Sequence, residues 1–331
     1  MPQPTANSAF IDPLLGDVAV AYMQDATQFI SGRVFPTVPC QYPHGQYDNY
    51  DRADWYRIAA KPRGPGEESA GGGYTISQSV YSIVPEAVHS DLDAQLVASA
   101  MPPEDPRKNK TRWVTLQLLL RKEVKWATAF FKAGVWTVDM TGVTGASSGN
   151  NFTQWSNHTT STPLEDLETQ IAAMEGLTGY KPNRLVLGRR TFSQLKNHPE
   201  IKDAIKYSQV AVITEELLAA LFGIDQVLVA RGIQTTSAEE QVTPGVHSTY
   251  DFMVNSKGAL LCYANNAPSI EEPSAGYHFA WTGYLGASAE GSVVYEIPVP
   301  LRKAVRIEGE LATSPTIVAP DLGCFFASAV A

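Results

Sequence analysis

Asn109-Lys-Thr-Arg-Trp-Val-Thr-Leu-Gln-Leu-Leu-Leu-Arg-Lys-Glu-Val-Lys-Trp-Ala-Thr-Ala-Phe-Phe131 decides how the rest of the chain is read. Trp113, Leu116, Leu120, Val124, Ala127 and Phe131 recur at spacings of three and four, which places them on one face of a helix. Leu119, Trp126 and Phe130 widen that face, and Arg112, Arg121, Lys122 and Lys125 supply a wet one. Neither Pro nor Gly, the costliest residues inside a helix, interrupts the run. A helix of this length spans on the order of 35 Å at ~1.5 Å per residue, roughly twice the usual globular helix. It is a beam, and by itself it fits an α+β enzyme as well as a structural protein.

Upstream, Tyr47 to Val84 reads as a long hairpin. Trp55, Tyr56 and Ile58 form a strand-like run, and Tyr74-Thr-Ile-Ser-Gln-Ser-Val-Tyr-Ser-Ile-Val84 is rich in β-branched and aromatic residues. Between them lies Lys61-Pro-Arg-Gly-Pro-Gly-Glu-Glu-Ser-Ala-Gly-Gly-Gly73, a polar tip with no Gly-Lys-Ser/Thr of a phosphate loop after it. A two-stranded hairpin is marginal alone in water, so a neighbouring molecule is expected to hold it. Residues 1–45 carry Pro2, Pro4, Pro13, Pro36, Pro39 and Pro43 around one helical segment, about Leu15 to Ile30. That is an arm with little core of its own, and such arms order by lying on something else.

The pattern around the beam predicts a helix over about Ser90–Ala100, an irregular Gly/Ser/Thr/Asn-rich connection over 137–162, and a helix from Pro163 to about Gly176. A compact α/β unit follows: a strand at Arg184–Leu187, a helix to Asn197, a break at His198-Pro199, a helix to Tyr207, a Thr214-capped helix ending at Gly223, and a strand at Gln226–Arg231. Strands are expected at Phe252–Val254, Ala259–Tyr263, Phe279–Leu285, Ser292–Val299 and Leu301–Leu311. In the last, Val305 and Ile307 alternate with Arg306 and Glu308.

The totals fit a folded chain. With 331 residues, 44% hydrophobic and 18% charged, it can bury a sizeable core. A net charge of -9 excludes a global basic footprint for nucleic acid. Cys40, Cys262 and Cys324 are scattered without C-x-x-C spacing, which argues for reduced thiols. The start lacks a signal-peptide pattern, and no apolar run approaches the ~20 residues of a membrane span. The expected site of synthesis is the cytoplasm. Six histidines (His44, His89, His158, His198, His247, His278) show neither i, i+4 pairing nor His-Glu-x-x-His spacing. His198 reads as a helix break. Glu67-Glu68, Glu215-Glu216 and Glu271-Glu272 sit in tips or first turns, and no Gly-x-Ser-x-Gly elbow occurs. No catalytic, cofactor-binding or metal-binding residues are assigned.

These pieces in this order resemble the major capsid protein of tailed double-stranded DNA phages, the α+β Hong Kong phage capsid fold. The resemblance covers nearly the whole chain. Asn183-Arg-Leu-Val-Leu-Gly188, Thr191-Phe192, His198-Pro-Glu-Ile201 and Ile317-Val-Ala-Pro-Asp-Leu-Gly323 carry it most specifically. It implies an amino-terminal arm (1–45), an extended hairpin loop (46–85), a peripheral domain (86–179) with a spine helix at 109–133, an axial domain (180–265) and a return to the periphery (266–331). The hairpin would lie across an adjacent subunit and the arm beneath a neighbour, in hexamers and pentamers that close an icosahedral head around double-stranded DNA, without sequence-specific contact. Arg52, Trp55, Tyr56, Arg57, Lys61 and Arg63 are the expected inter-subunit contacts, and Glu123 and Lys125 are expected to pair across the spine helix or with a neighbour. The family implies a portal, in some cases a decoration protein, and residence in the virion after assembly in the host cytoplasm. The chain lacks the charged helical scaffolding region that some relatives carry, so scaffolding would be a separate protein or already cleaved away. Two alternatives stand beside this: an encapsulin-like compartment holding enzyme cargo, and a soluble α+β enzyme.

Overall fold

The computed structural model describes residues 24–100, 105–145, 147–206, 213–237, 249–269, 272–284 and 287–331. Most of the helix expected at Leu15–Ile30 lies outside the described residues, as do Tyr207 and Leu285. From Gln24 the chain makes a 3-10 turn at Ala26–Gln28 and a four-residue helix α1 (Ser31–Val34). Next come β1 (Thr37–Cys40), β2 (His44–Tyr50), α2 (Arg52–Tyr56), β3 (Ile76–Ser82), β4 (Glu86–Asp93) and α3 (Ala94–Ser99).

The beam is α4, Pro106–Phe130. Pro106 is preset for a first helical position, and the Asp105 carboxylate accepts the Lys108 N–H at 3.2 Å, which starts the helix. Its buried stripe is Val114, Leu118, Lys122, Glu123, Trp126 and Phe130. The sequence placed Lys122 on the wet side and Trp113 on the dry one; the structure turns the helix so that Lys122 is buried and Trp113 is 44% exposed. Charge was the misleading cue, because both buried charges have partners.

The rest of the chain is β5 (Val138–Val143), β6 (Asn151–Thr153), α5 (Pro163–Thr178), β7 (Arg184–Gly188), α6 (Arg189–Asn197), α7 (Pro199–Ile205), α8 (Glu215–Phe222), β8 (Gln226–Ala230), β9 (Ile233–Thr235), β10 (Tyr250–Phe252), β11 (Ala259–Cys262), β12 (Gly276–Trp281), β13 (Ser292–Val299), β14 (Ala304–Leu311), β15 (Thr313–Ile317) and β16 (Gly323–Ala327). A six-stranded sheet runs β6-β5-β16-β11-β7-β8. Its strands alternate between two cores. Leu185, Leu187, Val227, Val229, Leu261 and Phe326 face helices α5 to α8. Val186, Leu228, Leu260 and Phe325 face Trp126, Phe130 and Phe131 of the spine. A sheet covered on both sides reads as continuous apolar runs, which is why β7, β8 and β11 were legible. Each fully buried large side chain contributes about 1.5–3 kcal/mol.

A second sheet, β13-β14-β4, lies along the amino-terminal half of the spine. Gly309 lets the two approach: a Cβ there would meet Val114 Cγ1 at 2.5 Å. A third sheet, β1-β12-β15, carries the arm strand β1 in parallel with β12, and β2 pairs with β3 as a separate two-stranded ribbon.

Several expectations are corrected. Ser90–Ala100 is not one helix: Glu86–Asp93 pairs with β14, and only Ala94–Ser99 is helical, started by the Asp93 side chain. The 137–162 connection contains β5 and β6, recruited by the closing strand β16. The six-stranded sheet therefore crosses the boundaries read from sequence, since residues 138–153 and 323–327 join the sheet of 184–262. Trp55 and Tyr56 lie in a helix rather than a strand, because Asp51 caps it at Ala53 N–H, 2.9 Å. The strand partner of β3 is instead His44–Tyr50. His198 does separate two helices, closing α6 and opening α7.

Candidate inter-subunit surface

The hairpin rises from the body on β2 and β3 and opens into a long tip. At its base Asp54 accepts the Thr75 N–H at 2.9 Å and closes the neck. Two contacts tether the base to the body: Arg52 pairs with Asp321, and the Tyr56 hydroxyl donates to the Thr178 carbonyl at 2.6 Å. Arg57 lies 3.7 Å from Asp54. Beyond that, residues 57–78 are exposed throughout except for half-buried Gly64, and Lys61 and Arg63 stand in this open tip. Gly66 takes a φ of +85°, a left-handed conformation that favours glycine.

On the uncovered side, Tyr50, Trp55 and Tyr74 form an aromatic cluster with ring centroids 5.4–6.1 Å apart. Trp55, Tyr56, Ile58 and Tyr74 are 61, 56, 89 and 58% exposed. A contiguous apolar patch of that kind marks an interaction surface. A groove of about 540 Å³ runs between these rings and Tyr180, Pro273 and Leu322. The structure thus brings Arg52, Trp55, Tyr56 and Arg57 together at the neck and leaves Lys61 and Arg63 at the tip. Tyr50 and Tyr74 complete the cluster and were missed; their alternation with polar neighbours was the available signal.

Glu123 and Lys125 do not pair with each other. Glu123 is fully buried and accepts from Ile30 N–H (3.1 Å) and Ser31 N–H (2.9 Å), capping α1 from another element. Arg184, also buried, donates to the Arg33 carbonyl at 3.0 Å and to that of Val34, holding the opposite end of α1. A carboxylate at a helix start and a guanidinium at its end both match the backbone dipole. Burial pushes the Glu123 carboxyl up, and the two N–H donors and Lys122 pull it back. Lys125 donates to the Thr313 carbonyl at 2.7 Å and lies 3.7 Å from Glu86. Burial pushes Lys125 down, whereas the Arg121 guanidinium holds Glu86 below the usual carboxylate range.

The arrangement that most resembles chemistry is Ser161, His198 and Glu200. Ser161 Oγ is 2.9 Å from His198 Nε2, and Glu200 is 4.0 Å from Nδ1. Ser161, however, donates its proton to the Asn157 carbonyl at 2.6 Å, so His198 Nε2 is the donor to Oγ and takes no proton from it. Both residues are buried. Among the described residues no group of three or more His, Cys, Asp or Glu is placed to hold a metal, and no helix is long and apolar enough to cross a membrane. Burial pushes the Cys262 and Cys324 thiols up to about 12.

Comparison with known proteins places this geometry. The family described as phage major capsid protein E matches residues 142–261. The major capsid protein of Pseudomonas phage JBD67 is 25% identical over 98% of this chain and 99% of its own length. The chain belongs with the phage major capsid proteins. Among solved structures, a phage-related protein of Bordetella bronchiseptica RB50 superposes with a TM-score of 0.67 at 23% identity, covering 96% of this chain and 97% of that one. The capsid of cyanophage P-SCSP1u gives 0.61 at 10% identity over 98% and 95%. The encapsulin complex of Synechococcus elongatus PCC 7942 gives 0.58 at 9% identity over 100% and 98%. At those identities the likenesses report the fold, and the fold is the α+β capsid fold expected from the sequence.

Proposed function

We propose that this capsid protein is the wall subunit of an icosahedral phage head, assembling with itself as hexamers and pentamers around double-stranded DNA. What supports the assembly is the hairpin. Its rings and cations are built on a capped, tethered base, yet nothing of its own chain covers them. Arg52, Trp55, Tyr56, Arg57, Lys61 and Arg63 supply the contacts to the next copy, with aromatic and Arg residues as anchors. Head-to-tail contacts of this kind close into rings, and their repetition gives avidity without any one strong contact. The arm upstream of Gln24 reaches beneath a neighbour. A portal and a separate scaffolding protein complete the head, a decoration protein is an optional addition, and assembly takes place in the host cytoplasm.

Purified chain run on a sizing column and imaged in negative stain should give megadalton closed shells. A monomer or dimer under every assembly condition overturns the proposal. The encapsulin likeness supports a second reading, a compartment around enzyme cargo. Particles recovered from their native source separate the two: nuclease-protected DNA inside supports the head, and a co-purifying folded enzyme supports the compartment.

A further inference from the structure

The sheet β13-β14-β4 ends in two open edges, and they are guarded differently. β4 carries Glu86, Asp91 and Asp93 along its length, the charged side chains with which proteins blunt an edge. β13, Ser-Val-Val-Tyr-Glu-Ile-Pro-Val, carries one Glu among five β-branched or aromatic residues. Which backbone groups it offers follows from the ladder. Ala312 N–H donates to the Gly291 carbonyl, and the register pairs Ser292 with Leu311. Antiparallel alternation then turns the N–H groups of Ser292, Val294 and Glu296 outward. Pro298, which has no N–H, falls on the same outward set, where proline is tolerated. Among the described residues the outer backbone groups of Val293–Val299 have no hydrogen-bond partner.

The hairpin presents a matching edge. β3, Ile-Ser-Gln-Ser-Val-Tyr-Ser, carries no charge. Ile83 N–H bonds to the Pro43 carbonyl, so the same alternation turns the N–H groups of Ile76, Gln78 and Val80 away from β2. The flanks complement each other. Residues 52–63 hold four cations against one acid, and residues 290–299 hold two acids and no cation.

We propose that β13 of one copy takes β3 of a neighbouring copy as an added strand, making one inter-subunit sheet from the β13-β14-β4 sheet and the β2-β3 ribbon. This rests on the shell reading above and names the surface that receives the hairpin. Main-chain hydrogen bonds supply the affinity, as in other strand additions, and the basic neck facing the acidic flank orients the approach.

The test uses the full chain. Val294→Pro and Val80→Pro each remove one outward donor and leave the chain's own ladders intact. Each should slow shell assembly at least tenfold, while thermal unfolding of the unassembled subunit shows that it still folds. Paired cysteines carry the second arm. One population is substituted at Ile76, Gln78 or Val80 and the other at Ser292, Val294 or Glu296, then the two are mixed and oxidised. Opposite residues in neighbouring strands sit within disulfide reach, so one register should give a β3–β13 cross-link between copies. Shells that assemble at the wild-type rate with both prolines and show no such cross-link overturn the added strand. Cross-linking of β13 to a second β13 overturns the choice of occupant. A chain that never assembles overturns the shell reading itself, a separate outcome from either.

Discussion

The arm and the hairpin look alike in sequence, two irregular protrusions with no core of their own, yet the fold treats them oppositely. In the described part of the arm, Phe29, Ile30, Val34 and Phe35 are buried. Phe35 packs on Phe130 at 4.5 Å between ring centroids, Glu123 and Arg184 hold the two ends of α1, and β1 pairs with β12. The expectation that the whole arm needs outside support is therefore corrected for residues 29–40. The hairpin is joined to the body only near its neck. A short segment is ordered by its own chain when distant side chains satisfy its backbone ends, and the hairpin tip has no such partners.

The contrast can be broken most directly at Phe35. Phe35→Ala should cost the isolated subunit about 4 kcal/mol in denaturant unfolding, the range for deleting a buried aromatic side chain; a loss under about 1 kcal/mol would show that the arm is not part of the core. Glu123→Ala leaves two buried N–H groups unpaired and should cost about 3 kcal/mol. Hydrogen exchange at Ile30 and Ser31 should rise with it, and Glu123→Gln, which keeps one acceptor oxygen, should recover part of the protection.

His278 sharpens the comparison through pH. It lies on β12 opposite Thr37 of the arm, is fully buried, and neither ring nitrogen has a partner. Burial, with Lys122 and Lys125 nearby, pushes its pKa from 6.5 to about 3. A depressed pKa means that the folded state resists a proton the unfolded chain accepts. This stability is present above pH 6.5 and is lost as pH falls toward 3, by about 2 kcal/mol at pH 5. Glu123, pushed up, acts in the opposite sense, so the measurement is the difference between wild type and His278→Phe. The variant should have the flatter acid limb; identical limbs would show that His278 does not titrate as described. The smallest expected effect is at the hairpin. Trp55→Ala should change subunit unfolding by no more than about 0.5 kcal/mol, as at other exposed sites, while weakening assembly. A large loss in the subunit would place Trp55 in its own core.

The spine, the strands of the central unit and the existence of the hairpin were legible because apolar periodicity over long runs reports burial. The phase of the spine was not, since Lys122 and Glu123 are buried with partners 168 and about 90 positions away. β2 was invisible for a related reason. His-Gly-Gln-Tyr-Asp-Asn-Tyr has the composition of a loop, and its strand character comes from pairing with β3. Lys61 and Arg63 were placed correctly at a tip, and only the fold could show that Tyr50 and Tyr74 meet Trp55.

The double hold on α1 also fixes an order of events during synthesis. Its donors and acceptors wait for Glu123, 93 and 92 positions downstream, and for Arg184, 151 and 150 downstream. At typical translation speeds the second wait lasts roughly ten to thirty seconds. The residues that leave the ribosome earliest are thus seated late, and their docking certifies that both the spine and the central sheet have been made.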